Sequence, residues 1–93
     1  MNINHQELED FLFDFTDLVD FKAEVAAISD LETLTISIEV LHSGNSESLS
    51  VQIAEGTKNK FEVSPSVVVL ARGTLAKEFE NSVKAPRFVD RRD

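Results

Sequence analysis

The residues best supplied for chemistry are carboxylates, and they are gathered in the first third of the chain. Glu7, Glu9, Asp10, Asp14, Asp17, Asp20, Glu24, Asp30 and Glu32 stand there against one base, Lys22. That local excess equals the net charge of the whole molecule, −8, so the remainder balances to about zero. Paired carboxylates can pass protons as general acid and base, or hold a hard cation. Nothing in the pattern marks one of these as buried or perturbed, and no calcium-loop spacing with a turn glycine is present. A dense acidic face has a further use, which is to meet a basic surface.

Other chemistry is poorly supplied. His5 and Glu9 are i, i+4 neighbours, but two groups do not make a metal site, and His42 falls at the end of a strand pattern beside a turn. No serine lies in a nucleophile-elbow pattern. Gly44, Gly56 and Gly73 are isolated, so there is no glycine-rich phosphate loop. With no cysteine there is no thiol nucleophile, thiolate metal site or disulfide. The expectation is a non-enzymatic protein with no catalytic residue, metal or cofactor.

The elements that must carry the carboxylates are read from periodicity. Asn4 is a helix cap, with Glu7 completing a capping box. Leu8, Phe11, Leu12, Phe15, Leu18 and Val19 recur at helical spacing and form one apolar stripe. If the helix continues, carboxylates at 7, 10, 14, 17, 20 and 24 run along its other side. At ~1.5 Å per residue the row is roughly 25 Å long. Phe13 projects from the acidic side. The stripe changes phase after Asp20, where Phe21, Val25 and Ile28 repeat on a different side. This reads as a bend or a second short helix capped by Asp20.

Beyond Asp30, Thr33–His42 alternates as a half-buried strand, with Leu34, Ile36, Ile38 and Val40 inward and Thr35, Ser37 and Glu39 outward. Ser43–Ser46 is a turn. Leu49, Val51 and Ile53 alternate with Ser48, Ser50 and Gln52 as a second strand, and Phe61 and Val63 suggest a short third. Two parses fit the chain from Ser64 onward. Ser64-Pro65 reads as the start of a helix that ends before Ala85-Pro86, the favoured version. Alternatively Ser66–Ala71 is a fourth strand, Arg72-Gly73 a turn, and the helix begins at Thr74. The expected fold is α+β: an N-terminal acidic helix bent or split near Asp20, a three-stranded antiparallel meander, a C-terminal helix and a short basic tail. Lys84, Arg87, Arg91 and Arg92 make that tail basic, and Phe88 and Val89 can anchor it.

A chain of 93 residues makes a single domain, 1–93, with 85–93 a tail prone to fraying. An apolar content of 42% suits a folded protein, with seven Phe supplying all the aromatic bulk. The start, Met1-Asn2-Ile3-Asn4, has no basic or apolar leader character, and no apolar run approaches a membrane span. A cytoplasmic location is the simplest expectation. The net charge argues against direct contact with nucleic-acid phosphates.

The order α-β-β-β-α resembles double-stranded RNA-binding domains in topology alone. Those domains carry a lysine-rich start to their final helix, where this chain reads Ser64-Pro65-Ser66-Val67-Val68, so that reading is rejected. In size, charge and helix–sheet mixture the chain resembles the small acidic inhibitors of phages and mobile elements, the anti-CRISPR and antirestriction proteins. The resemblance implies an inhibitor that blocks a basic nucleic-acid-binding protein or nuclease by imitating DNA charge. Asp10, Asp14, Asp17, Asp20 and Glu24 would form the charge row and Phe13 an apolar anchor. A second expectation is an assembly or adaptor protein, such as a homodimer, closed by Phe13, Phe21, Leu41 and Phe88. A third is an accessory subunit active only within a complex, an enzyme subunit included.

Overall fold

A computed structural model describes residues 3–29, 31–41, 44, 46–81 and 88–91. The elements are α1 (His5–Phe13), β1 (Leu18–Ile28), β2 (Leu31–Val40), α2 (Ser46–Phe61), β3 (Ser66–Val69), α3 (Thr74–Asn81) and β4 (Phe88–Arg91). The architecture is α+β, with three helices and a mixed four-stranded sheet ordered β3-β2-β1-β4 among the described residues. β1 and β2 are an antiparallel hairpin; β3 runs parallel to β2, and β4 runs parallel to β1.

α1 starts as its capping residues dictate, with the Asn4 side chain accepting from the Glu7 N–H at 3.1 Å. It ends at Phe13, not beyond Asp20. The residues read as the rest of an acidic helix are strand β1. Their phase change marks the switch from a 3.6-residue to a 2-residue period. Phe21, Ala23 and Val25 are buried on one face, while Lys22 and Glu24 lie on the other. A β-bulge between Leu18 and Asp20, where the register shifts, places Val19 as the extra residue and blurs the alternation at its start. Ile28 pairs with Leu31 across a two-residue loop, and Ser29 adopts a φ of 50°, the left-handed backbone that tight hairpins require.

The middle of the meander is corrected as well. Residues 46–61 are helix, not strand, turn and strand. Leu49, Ile53 and Thr57 are its buried positions, four residues apart, and Val51 is 51% exposed. The Leu49-Val51-Ile53 alternation is therefore incidental to a 3.6-residue stripe. The crossover helix is also what allows β3 to lie parallel to β2. Ser66–Val69 is a strand, Gly73 turns the chain at φ 90°, and α3 starts at Thr74, which corrects the favoured helix from Ser64-Pro65. Phe88–Arg91 of the expected tail is the edge strand β4. His42, Lys84, Arg87 and Arg92 lie outside the described residues.

One core sits under one face of the sheet. Leu8 and Leu12 of α1 and Leu49 and Ile53 of α2 pack on Phe21, Ala23, Val25, Leu34, Ile36 and Ile38. Gly56 of α2 meets the Phe11 ring so closely that an added Cβ would collide with it. The opposite face, expected to be wet, is partly covered by α3, because Lys22 and Glu39 both point to that side and both bond to α3 or its leading turn.

Candidate functional site

On that second face the hairpin register aligns Asp20 with Glu39, Lys22 with Ser37 and Glu24 with Thr35. The polar side chains of two central strands are thereby gathered under α3. Glu39 is only 3% exposed. One of its carboxylate oxygens accepts from the Gly73 N–H at 2.8 Å and the other from the Leu75 N–H at 2.6 Å. These amides belong to the first turn of α3 and its approach, where backbone donors lack partners within the helix and the helix dipole favours negative charge. Thr74 adds a local bond, its hydroxyl donating to the Ala71 carbonyl at 2.7 Å. Leu75 is thereby held in a buried position.

One turn further along α3, Glu78 reaches Lys22. The Lys22 ammonium donates to Glu78, and lies 3.4 Å from a Glu24 oxygen. Its side chain is 15% exposed, against 35% for Glu24 and 44% for Glu78. The hydrogen bond to Glu78 is the main cause that raises the Lys22 pKa above its ordinary value, and Glu24 adds to it; burial acts in the opposite direction. Glu39 and Lys22, the two most buried charged groups of this clasp, both have partners within the fold. The arrangement fixes α3 across β1 and β2. Among the described residues, no group of three or more His, Asp and Glu side chains is arranged to hold a metal ion. No helix among them is long and apolar enough to cross a membrane.

The residues expected to bind a partner are divided between elements. Asp10 is exposed on α1 and accepts from the Gln6 amide at 2.9 Å. Phe13 is 43% exposed and meets Phe21 edge-on, with ring centroids 5.3 Å apart. Asp14 is exposed at the C-cap of α1. Asp17 is half-buried in the following turn, where its carbonyl accepts from the Leu41 N–H at 2.7 Å. Asp20 and Glu24 lie on the second face of β1, and the Asp20 carboxylate accepts from the Phe21 N–H at 2.8 Å. Asp10, Phe13 and Asp14 are thus kept together on α1, whereas Asp20 and Glu24 lie on the face of the clasp. Glu39 and Glu78 were not singled out from the sequence. Glu39 reads there as one more outward position in an alternating strand, and only the return of α3 over it gives it a role.

No family model matches the sequence, and no curated protein matches it. The fold itself has counterparts among solved structures. A domain of phenylacetate-coenzyme A ligase from Bacteroides vulgatus ATCC 8482 superposes with a TM-score of 0.78 at 22% identity, over 99% of this chain and 87% of that one. 2-Hydroxyisobutyryl-CoA ligase, in complex with 2-HIB-AMP and CoA in the thioesterification state, superposes with a TM-score of 0.77 at 17% identity. An open conformation of that ligase with the same ligands gives 0.70, also at 17% identity. The fold is shared with these domains of CoA ligases. The chain spans 20% of the length of the 2-hydroxyisobutyryl-CoA ligase chains it matches.

These likenesses overturn the reading of a DNA-charge mimic of the anti-CRISPR or antirestriction kind. Size, charge and helix–sheet mixture carried that reading, and they do not distinguish a free inhibitor from a small ligase domain. Its proposed continuous acidic helix is also absent, since α1 ends at Phe13. The adaptor alternative gives way to the same likenesses.

Proposed function

We propose that this chain is the small accessory domain of an acyl-CoA ligase, acting with a larger ligase body. The observation that carries the reading is the fold likeness over 99% of the chain to a domain of one such ligase and to a fifth of another. The second ligase is matched in both a thioesterification state and an open conformation, so the fold recurs in two arrangements of one enzyme. In thioesterification, the CoA thiol loses its proton and its sulfur bonds to the acyl carbonyl carbon. The bond from that carbon to the phosphate oxygen breaks, and AMP leaves.

Both reactants carry phosphates. A body with a net charge of −8 repels them, except where its cations are concentrated. Those cations are Lys84, Arg87, Arg91 and Arg92, close together near the end of the sequence, and this stretch is the one assigned to meet CoA or the adenylate. The clasp of Glu39 and Lys22 serves it by holding α3, the element that precedes this segment, on the sheet.

The test is a chemical-shift titration of the isotopically labelled chain with CoA and, separately, with a non-hydrolysable acyl-sulfamoyl adenosine. The expected result is salt-sensitive perturbation centred on the terminal segment at millimolar ligand. No perturbation by either ligand would overturn the assignment.

A further inference from the structure

The ring of His5 lies flat on that of Phe88, with centroids 3.6 Å apart and planes inclined by 19°. His5 opens α1 and is exposed; Phe88 opens β4, is half-buried and packs on the core cluster. β4 stands at the edge of the sheet, and among the described residues its ladder to β1 covers Phe88–Arg91. A parallel ladder that short holds weakly. α1 is seated independently, by Leu8 and Leu12 in the core and by the Asn4 cap. We infer that His5 is a positioning residue: its ring straps the terminal strand to α1, so that helix and strand move as one body.

This deepens the ligase reading on one point, because the strand so held carries Arg91 at the cationic end assigned to CoA. Burial alone does not account for the contact. An exposed polar ring stacked on an aromatic at the first position of an edge strand adds little to the core, yet it fixes where that strand joins the sheet. Stacked rings add a modest increment beyond the area they bury, enough to hold a short edge strand in register with α1.

The experiment compares wild type with His5→Ala and His5→Phe by amide hydrogen exchange, then repeats the CoA titration on all three. Alanine is the better helix former, so it does not loosen α1. The expected result for His5→Ala is about threefold to tenfold faster exchange at Val89, Asp90 and Arg91, with the β1–β2 ladder unchanged. His5→Phe, which keeps a flat ring, restores the wild-type rates. Unchanged exchange at β4 in His5→Ala would overturn the strap, as would an equal rise across the whole sheet. In the CoA arm, His5→Ala weakens the perturbation at Arg91 and His5→Phe recovers it. Identical perturbation in all three proteins would overturn the link to CoA. A wild type that does not respond to CoA would defeat the ligase reading itself, while the exchange comparison still decides the strap.

Discussion

Replacing Glu39 by glutamine probes the junction on which the second face depends. The carboxylate is buried, with one oxygen on the Gly73 N–H and the other on the Leu75 N–H. Hydrogen bonds to a charged group contribute about 1.5–3 kcal/mol each, and neutral ones about half as much. Glutamine keeps one acceptor oxygen but turns an NH2 group toward the other amide, so one bond becomes neutral and one donor is left facing a donor. Relief from burying a charge offsets part of this loss. The net expectation is a destabilisation of about 2–3 kcal/mol. Urea unfolding reads it directly: with an m-value of about 1 kcal/mol/M for a domain of this size, the midpoint falls by roughly 2–3 M. Amide exchange should locate the loss first at the start of α3, because that turn loses an acceptor supplied by the sheet. A Glu39→Gln protein that unfolds within about 0.5 kcal/mol of wild type would refute the reasoning. It would show that the amides of α3 find water equally well.

Three further substitutions test the packing and the ion pairs. Lys22→Met should cost about 1 kcal/mol at neutral pH by removing the cation between Glu24 and Glu78. Because the Lys22 pKa is raised on folding, its contribution is complete below the ordinary lysine value of 10.5 and is lost as pH rises through the higher folded-state value. Wild type and variant should therefore converge in stability only in strong alkali, and a gap that closes near neutrality would contradict this. Gly56→Ala should destabilise by about 1 kcal/mol despite alanine's better helix propensity, since its Cβ meets the Phe11 ring. In a Phe11→Leu background the same change should become neutral or stabilising, and an unchanged penalty would rule out the ring as its cause. Thr57 is fully buried, with no hydrogen-bond partner for its hydroxyl among the described residues. Thr57→Val should raise stability by about 1 kcal/mol in thermal unfolding, and a loss would mean that the hydroxyl has an acceptor after all.

What could be read from the sequence was local, and what escaped was tertiary. Asn4 three residues before Glu7 marks the start of α1, and the alternation from Leu34 to Val40 marks β2, because both signals lie within a few residues of chain. β1 was hidden because Leu18 and Val19 also extend the helical stripe of Leu8, Phe11, Leu12 and Phe15. The bulge at Val19 then delays the strict alternation until Phe21. α2 was hidden because Ser48–Ile53 satisfies a two-residue and a four-residue period together. The burial of Thr57 one turn later is what decides between them. The three valines of β3 did favour a strand, and the Ser64-Pro65 start outweighed them in the sequence reading. Of the candidate partner-binding residues, Asp10, Phe13 and Asp14 do share α1 or its cap. Glu39 could not be found in this way, since its partners, Gly73 and Leu75, stand more than thirty residues away.

The most direct test of the central claim is a chimera of 2-hydroxyisobutyryl-CoA ligase in which this chain replaces the fifth of the enzyme that it matches. Release of pyrophosphate reports adenylate formation, and appearance of acyl-CoA reports thioesterification. The account predicts acyl-CoA from the chimera, lost when Lys84, Arg87 and Arg91 are changed together to alanine. A chimera whose body still forms the adenylate but yields no acyl-CoA above that of the body alone would contradict it.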